Sequence, residues 1–312
     1  MIPSPVNPLI RCIPAALVRF FASPYVAGDS LEKALAVVAK LHAERGLMST
    51  LDLLAEDIRT PAQAQQNLDT YLRMVDAVAR SGMPPGSLPT VSLKPSSYTT
   101  SPLQEGGDAE GSREAIFAIA RRAEEKGVAV TVDMESRHWT DFTLETLQEL
   151  HAEGMRHVGA VLQTRLHRTE EDLDALPPGM RVRLVIGIYR EPAEVALTDK
   201  KAMKERMLQF AGTLLQRGHF VEFATHDDAC VRRFLGEVVP QAGVGPDRFE
   251  VQMLYGVPRD RFLADLRQQG VRARLYVPFA LSWEMAIQYL RRRLDEYPAM
   301  ALLVTKNLFF RR

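Results

Sequence analysis

Residues 128–134 read VAVTVDM, and the fold turns on this run. It is apolar or β-branched up to its last two residues, too short for a buried helix, and it stops at a carboxylate. A strand with two apolar faces belongs in a sheet covered on both sides. The same pattern recurs outward from it. STLDLL (49–54) and PTVSLK (89–94) precede it. HVGAVLQ (157–163), VRLVIGIY (182–189), FVEFATH (220–226), FEVQMLY (249–255) and RARLYVPF (272–279) follow, which makes eight runs. Between them lie helical patterns with apolar residues three and four apart, such as SREAIFAIARRAEEKG (112–127), TLETLQELHAEG (143–154), KAMKERMLQFAGTLLQRG (201–218) and ADLRQQG (264–270). Each of these ends in glycine, the usual helix stop. Eight strands alternating with helices predict an α/β protein with a (βα)8 barrel. An open doubly wound sheet competes, but no GxGxxG follows the first strands. No low-complexity linker divides the chain, so residues 1–45 are expected to form an N-terminal helical arm and residues 46–312 one barrel.

Composition narrows the function. The chain has 312 residues, 46% hydrophobic and 25% charged, with a formal net charge of zero. That balance argues against a general nucleic-acid binder. Cys12 and Cys230 form neither a metal-ligand pattern nor a disulfide framework, which fits a reducing cytoplasm. The opening stretch IRCIPAALVRFFASPYVAG (10–28) is apolar but broken by proline and arginine, so it reads as neither a membrane span nor a signal peptide. It suits an amphipathic helix that packs on the domain, or one that touches a membrane surface.

Barrel enzymes carry their chemistry where the strands end. Here those ends supply Lys94, Ser96, Asp133, Glu135, Gln163, Tyr189, His226, Asp227, Gln252, Tyr255 and Tyr276. Asp133 closes an apolar strand, so it needs a cation, hydrogen-bond donors or a raised pKa. Lys94 precedes Pro95, which disfavours a helical turn there, and its amine can hold an anion or pair with Asp133. His226 in FATHDD is a candidate proton handler or cofactor donor. No HExxH, paired-cysteine spacing, GxSxG or P-loop is present, so no metal is expected, and hydrolysis and phosphoryl transfer lack their usual machinery.

Beyond the last strand, QYLRRRLDE (288–296) places Tyr289, Arg292, Arg293 and Glu296 at helical positions i, i+3, i+4 and i+7. Two guanidiniums beside a phenol can grip a small carboxylic acid bidentately. The same spacing also suits a solvated, salt-bridged surface helix.

Taken together, LDLLAE, VSLKPSS, VDMES, VGAVLQ, VRLVIGIYREP, FATHD, FEVQMLYG, RLYVPF and YLRRRLDE resemble the flavin-dependent proline dehydrogenase family, in its short monofunctional bacterial type. The resemblance runs from about residue 28 to about residue 310. It implies a distorted barrel that holds FAD non-covalently and oxidises L-proline to Δ1-pyrroline-5-carboxylate by hydride transfer. Electrons would pass on to a quinone or another acceptor. The location implied is cytoplasmic, free or peripheral to the inner face of the membrane. Residue by residue, it assigns the substrate carboxylate to Arg292, Arg293 and Lys94. Tyr276, Tyr289 and Leu254 would wall the ring. Asp133 would pair with Lys94, and Glu296 would steady the two arginines. Gln163, Arg183, Val185, Gly187, Thr225, His226 and Gln252 would line the flavin, with Arg183 beside the isoalloxazine.

The chain also departs from the family. Where relatives read V-K-G-A-Y it has Val185, Ile186, Gly187, Ile188 and Tyr189. Ile186 removes a cation, and Ile188 replaces a small residue that would touch the substrate. Arg165, Arg190 and Ala280 are further departures, and the run from Trp283 to Tyr289 is longer than in the short bacterial type. Two alternatives therefore stay open. One is an FAD enzyme for another cyclic or secondary amino acid (hydroxyproline, pipecolate or a modified proline). The other is a barrel that binds without turnover.

Overall fold

A computed structural model describes residues 12–55, 58–189 and 191–296; within those, the side chains of Phe21, Ala22 and 292–296 are outside the description. Eight parallel strands close into a barrel in sequence order. They are β1 (Met48–Leu53), β2 (Thr90–Leu93), β3 (Val130–Val132), β4 (Val158–Gln163), β5 (Arg181–Val185), β6 (Phe220–Ala224), β7 (Phe249–Leu254) and β8 (Ala273–Phe279). β8 closes on β1 over six paired positions, from Met48 opposite Arg274 to Leu53 opposite Phe279.

Among the described residues, eleven α-helical segments accompany the strands. Before the barrel come α1 (Ala15–Ala22) and α2 (Leu31–Arg45). Around it run α3 (Pro61–Ala79), α4 (Ala109–Lys126), α5 (Thr140–Ala152), α6 (Thr169–Asp172), α7 (Lys200–Gln216), α8 (Asp228–Arg233), α9 (Val239–Ala242), α10 (Asp260–Gln268) and α11 (Trp283–Glu296). Local sequence sets their ends. Thr60 and Gln63 form a capping box at α3, with Pro61 at the first turn. Asp108 and Asp199 each accept a backbone N–H at 2.8 Å to open α4 and α7.

Apolar side chains of the strands face the helices. Phe223 stacks on Phe234 at 4.2 Å between centroids, and Phe249 meets Phe234 edge-on. Full burial of one such ring contributes about 1.5–3 kcal/mol. The α2 residues Ala34, Val38 and Leu41 join this main core. The segment after α1 runs beside β8, with Ala27 N–H donating to the Pro278 carbonyl and Ala280 N–H to that of Gly28. Arg19 of α1 lies 4.6 Å over the Trp283 ring, and Arg291 donates to the Ile13 carbonyl at 2.6 Å, so α1 and the residues before it meet α11.

Two readings of the strands change. The run 182–189 leaves the sheet after Val185, not at Tyr189. Gly187 sits at φ +102, where a Cβ would lie 2.4 Å from Gln163 Oε1, so the chain turns toward the barrel mouth there. The strands are also less uniformly apolar than they read. Positions inside the barrel alternate with the outer ones and carry charge: Arg181 and Arg183 on β5, Glu222 on β6, Glu250 on β7 and Arg274 on β8. Arg181 bonds Glu222 at 2.6 Å and the Val130 carbonyl at 2.7 Å. Arg274 pairs with Glu250 and donates to the Ser49 carbonyl at 2.7 Å. An ionic plug therefore fills the space that branched apolar side chains usually occupy.

Candidate active site

A cavity of about 300 Å³ opens above this plug, at the C-terminal ends of the strands. Lys94, Asp133, Arg183, Val185, Ile188, Thr225, His226, Gln252, Leu254, Tyr276 and Tyr289 all line it. Gln163 and Gly187 are not among its lining residues. Gln163 Nε2 donates to the Glu135 carbonyl at 2.6 Å, and its Oε1 is buried without a partner among the described residues. The side chains of Arg292, Arg293 and Glu296 lie outside the described residues; their backbone continues α11 beyond Tyr289.

Lys94 does not take Asp133 as its main partner. Its ammonium bonds Asp52 on β1 and stands 3.9 Å from Asp133. Burial alone would lower the lysine pKa, but the charges of Asp52 and Asp133 outweigh it and hold Lys94 protonated, well above its usual value. Asp52 is the residue that sequence reasoning missed. Its signal was an acid in the middle of an apolar strand, LDLL, on the alternating face that points inward.

Asp133 instead organises the centre. Its Oδ1 accepts from Ser92 Oγ at 2.7 Å and from Arg183 Nη1 at 2.9 Å, and its Oδ2 from Tyr276 Oη at 2.8 Å. Burial, helped by the Asp133 and Asp52 charges, pushes the Tyr276 phenol well above its usual pKa, so it remains a donor. The Arg183 guanidinium lies 5.2 Å over the Tyr276 ring and donates from Nε to Gln252 Oε1 at 2.7 Å. Glu135, seen at a strand end but given no role, accepts from Ser96 N–H at 2.7 Å and Ser96 Oγ at 2.6 Å. Burial raises its pKa against those two bonds.

His226 is fixed in one tautomer. Its Nε2 accepts from the Leu254 N–H at 3.3 Å, so in the neutral ring the proton sits on Nδ1. That Nδ1 is buried without a partner among the described residues, as is Arg183 Nη2. Burial, with Arg259 adding repulsion, lowers the His226 pKa to about 4, so the ring is neutral at pH 7. Leftover buried donors on a cavity wall are what a hydrogen-bonding heterocycle would satisfy.

The pattern shared by proteins described as proline dehydrogenase matches residues 34–305 of the chain. A proline dehydrogenase of Deinococcus radiodurans is 36% identical over 294 residues, covering 92% of this chain and 89% of its own. This chain belongs to the proline dehydrogenase family. Proline dehydrogenase 1 of Bacillus subtilis is 32% identical over 293 residues, covering 93% of this chain and 91% of its own. Among solved structures, proline utilization A of Bdellovibrio bacteriovorus inactivated by N-propargylglycine superposes with a TM-score of 0.77 at 23% identity, over 89% of this chain. The proline utilization A of Corynebacterium freiburgense gives 0.73 at 20% identity, over 94% of this chain. These two matches carry the fold, and this chain spans about a third of each, 33% and 32%. Within the proline dehydrogenase family, Asp52, Lys94, Asp133, Arg183 and Tyr276 thus form one connected polar centre in this member.

Proposed function

We propose that this chain oxidises L-proline to Δ1-pyrroline-5-carboxylate, with FAD held non-covalently at the barrel mouth. The observation that carries it is Arg183: a buried cation on the cavity wall, fixed by Asp133 and Gln252, with Nη2 left over. Together with the His226 Nδ1 proton, it suits a flavin, whose ring edge offers acceptors. FAD, when bound, takes up the hydride that the substrate carbon releases. The rest falls to the protein. Tyr276, Tyr289, Leu254 and Ile188 wall the cavity and exclude water. The described cations Lys94 and Arg183 are already engaged by carboxylates. A further cationic clamp for the substrate carboxylate is needed, and Arg292 and Arg293, three and four residues beyond Tyr289, are assigned that role. Glu296 is assigned to steady them. Gln163 and Gly187 support the flavin side from behind the wall.

The acceptor of the electrons, a quinone or another oxidant, belongs to the same proposal, as does peripheral membrane contact. In support of contact, α1 leaves Leu17 46% and Phe20 63% exposed. No described helix is long and apolar enough to cross a membrane.

One observation favours a shifted substrate. Ile188 lines the cavity yet is 46% exposed, so its side chain has room to meet a ligand. The test is direct. Protein loaded with FAD is mixed anaerobically with L-proline, hydroxyproline or pipecolate, and flavin bleaching is followed. Bleaching by L-proline at the lowest concentration supports the proposal. Faster bleaching by another amino acid moves the substrate, and failure to bind FAD ends the proposal. Arg292→Ala and Arg293→Ala should each weaken substrate binding with flavin retained.

A further inference from the structure

The buried carboxylate of Glu250 lies below the cavity and touches none of its open space. Its Oε1 accepts from Gln252 Nε2 at 2.7 Å. The same carboxylate is gripped by Arg274 through Nε and, at 3.2 Å, through Nη2. Arg274 in turn donates to the Ser49 carbonyl at 2.7 Å, which ties the group to the backbone of β1. Gln252 therefore has one allowed amide orientation. Its NH2 faces a carboxylate and its Oε1 faces the Nε–H of Arg183 at 2.7 Å. A flipped amide would set oxygen against oxygen and N–H against N–H.

A competing acceptor stands by. Glu222 Oε2 is buried and already pairs with Arg183 Nε at 3.4 Å, and the Gln252 side chain reaches the same carboxylate. Arg183 Nε thus has two acceptors in reach, and the amide, at 2.7 Å, is closer than the carboxylate, at 3.4 Å. The locked amide is what settles that choice.

We infer that Glu250 is a positioning residue for the flavin chemistry: it locks the Gln252 amide, which holds the Arg183 guanidinium at the cavity wall against the pull of Glu222. This rests on FAD occupying the cavity. With the lock removed, the Gln252 NH2 turns to Glu222, Oε1 leaves Arg183 Nε, the guanidinium is drawn closer onto Glu222, and a cation that favours the reduced, anionic flavin moves away. The midpoint potential of the bound flavin then falls.

Three proteins test this: wild type, Glu250→Ala and Glu250→Gln. The Gln variant loses the charge but keeps an acceptor oxygen for Gln252. Each is loaded with FAD, and three quantities are measured: the midpoint potential, the FAD dissociation constant and the limiting rate of anaerobic bleaching by L-proline. In Glu250→Ala the potential should fall by about 30 mV or more, a tenfold change for a two-electron couple. The limiting rate should fall at least tenfold, with the half-saturating proline concentration changed less than twofold. Glu250→Gln should stay close to wild type in all three. Equal shifts in both variants would mean a through-space charge effect and overturn the inference, as would no shift in either. Should Glu250→Ala not fold, Glu250→Ala with Arg274→Met removes both buried charges and carries the same expectation. Loss of fold there too would make Glu250 a stability element and overturn the inference. A wild type that binds no FAD would instead defeat the functional proposal.

Discussion

Lys94, the residue after β2, bonds Asp52 on β1, and both side chains are under a tenth exposed. The pair sits at the floor of the cavity, between the ionic plug and the space for ligand. Removing one member of such a pair leaves an uncompensated buried charge, which costs about 3–5 kcal/mol. Asp133, 3.9 Å away, compensates in part. Asp52→Ala should therefore destabilise the apoprotein by about 3 kcal/mol in urea unfolding. A loss under about 1 kcal/mol would mean that Asp133 takes over the lysine fully.

A second prediction concerns acid. The His226 pKa is about 4 in the fold, against about 6.5 in an unfolded chain. Between those values the unfolded chain binds a proton that the folded one excludes. Stability is complete above pH 6.5 and is lost as pH falls from there toward 4. From pH 7 to pH 4.5 the contribution lost is roughly 2 kcal/mol. His226→Asn removes this titration, so the difference between wild type and variant should shift by that amount over the window. A pH-independent difference would show that His226 titrates normally.

How far the sequence spoke depends on the kind of signal. All eight strands were legible because a barrel strand is a short apolar run ending at a polar mouth, as VAVTVDM is. The end of β5 was not. Ile186, Ile188 and Tyr189 look like strand residues, and only Gly187, in a conformation no strand uses, takes them out of the sheet. At the site, Lys94 and Asp133 stand out because each directly follows the last residue of an apolar strand. Glu222 and Glu250 stand earlier in their strands, and Asp52, one residue from the end of β1, is flanked by leucines, so each acid is easily taken for an interruption. Their partners come from other strands: Arg274 is 24 residues from Glu250 and Lys94 is 42 from Asp52. No local pattern carries such pairings, because the closure of the barrel creates them.

Tyr276 permits a narrower test. Its hydroxyl donates to Asp133 Oδ2 at 2.8 Å, while its ring lies 5.2 Å below the Arg183 guanidinium. Tyr276→Phe deletes the first contact and keeps the second. A hydrogen bond to a charged group contributes about 1.5–3 kcal/mol, so the loss in urea unfolding should fall near the low end, with Ser92 and Arg183 still on Asp133. Tyr276→Leu, which also removes the ring, should lose more. Equal losses would mean that the hydroxyl rather than the ring does the stabilising.

Ile188 separates substrate fit from stability in one variant. Its side chain borders the cavity and is 46% exposed, so little packing is lost when it is cut back. Ile188→Ala should therefore change stability by under about 0.5 kcal/mol. It also widens the mouth beside Leu254 and Tyr289, which line the same cavity. If the isoleucine crowds the five-membered ring, kcat/KM for L-proline should rise about tenfold, the scale of a small steric change in a pocket. A six-membered ring should gain more than proline, since it needs more room. Should proline turnover fall instead, while a larger amino acid remains the better substrate of the wild type, the isoleucine is a contact that the native substrate uses, and that substrate is not proline.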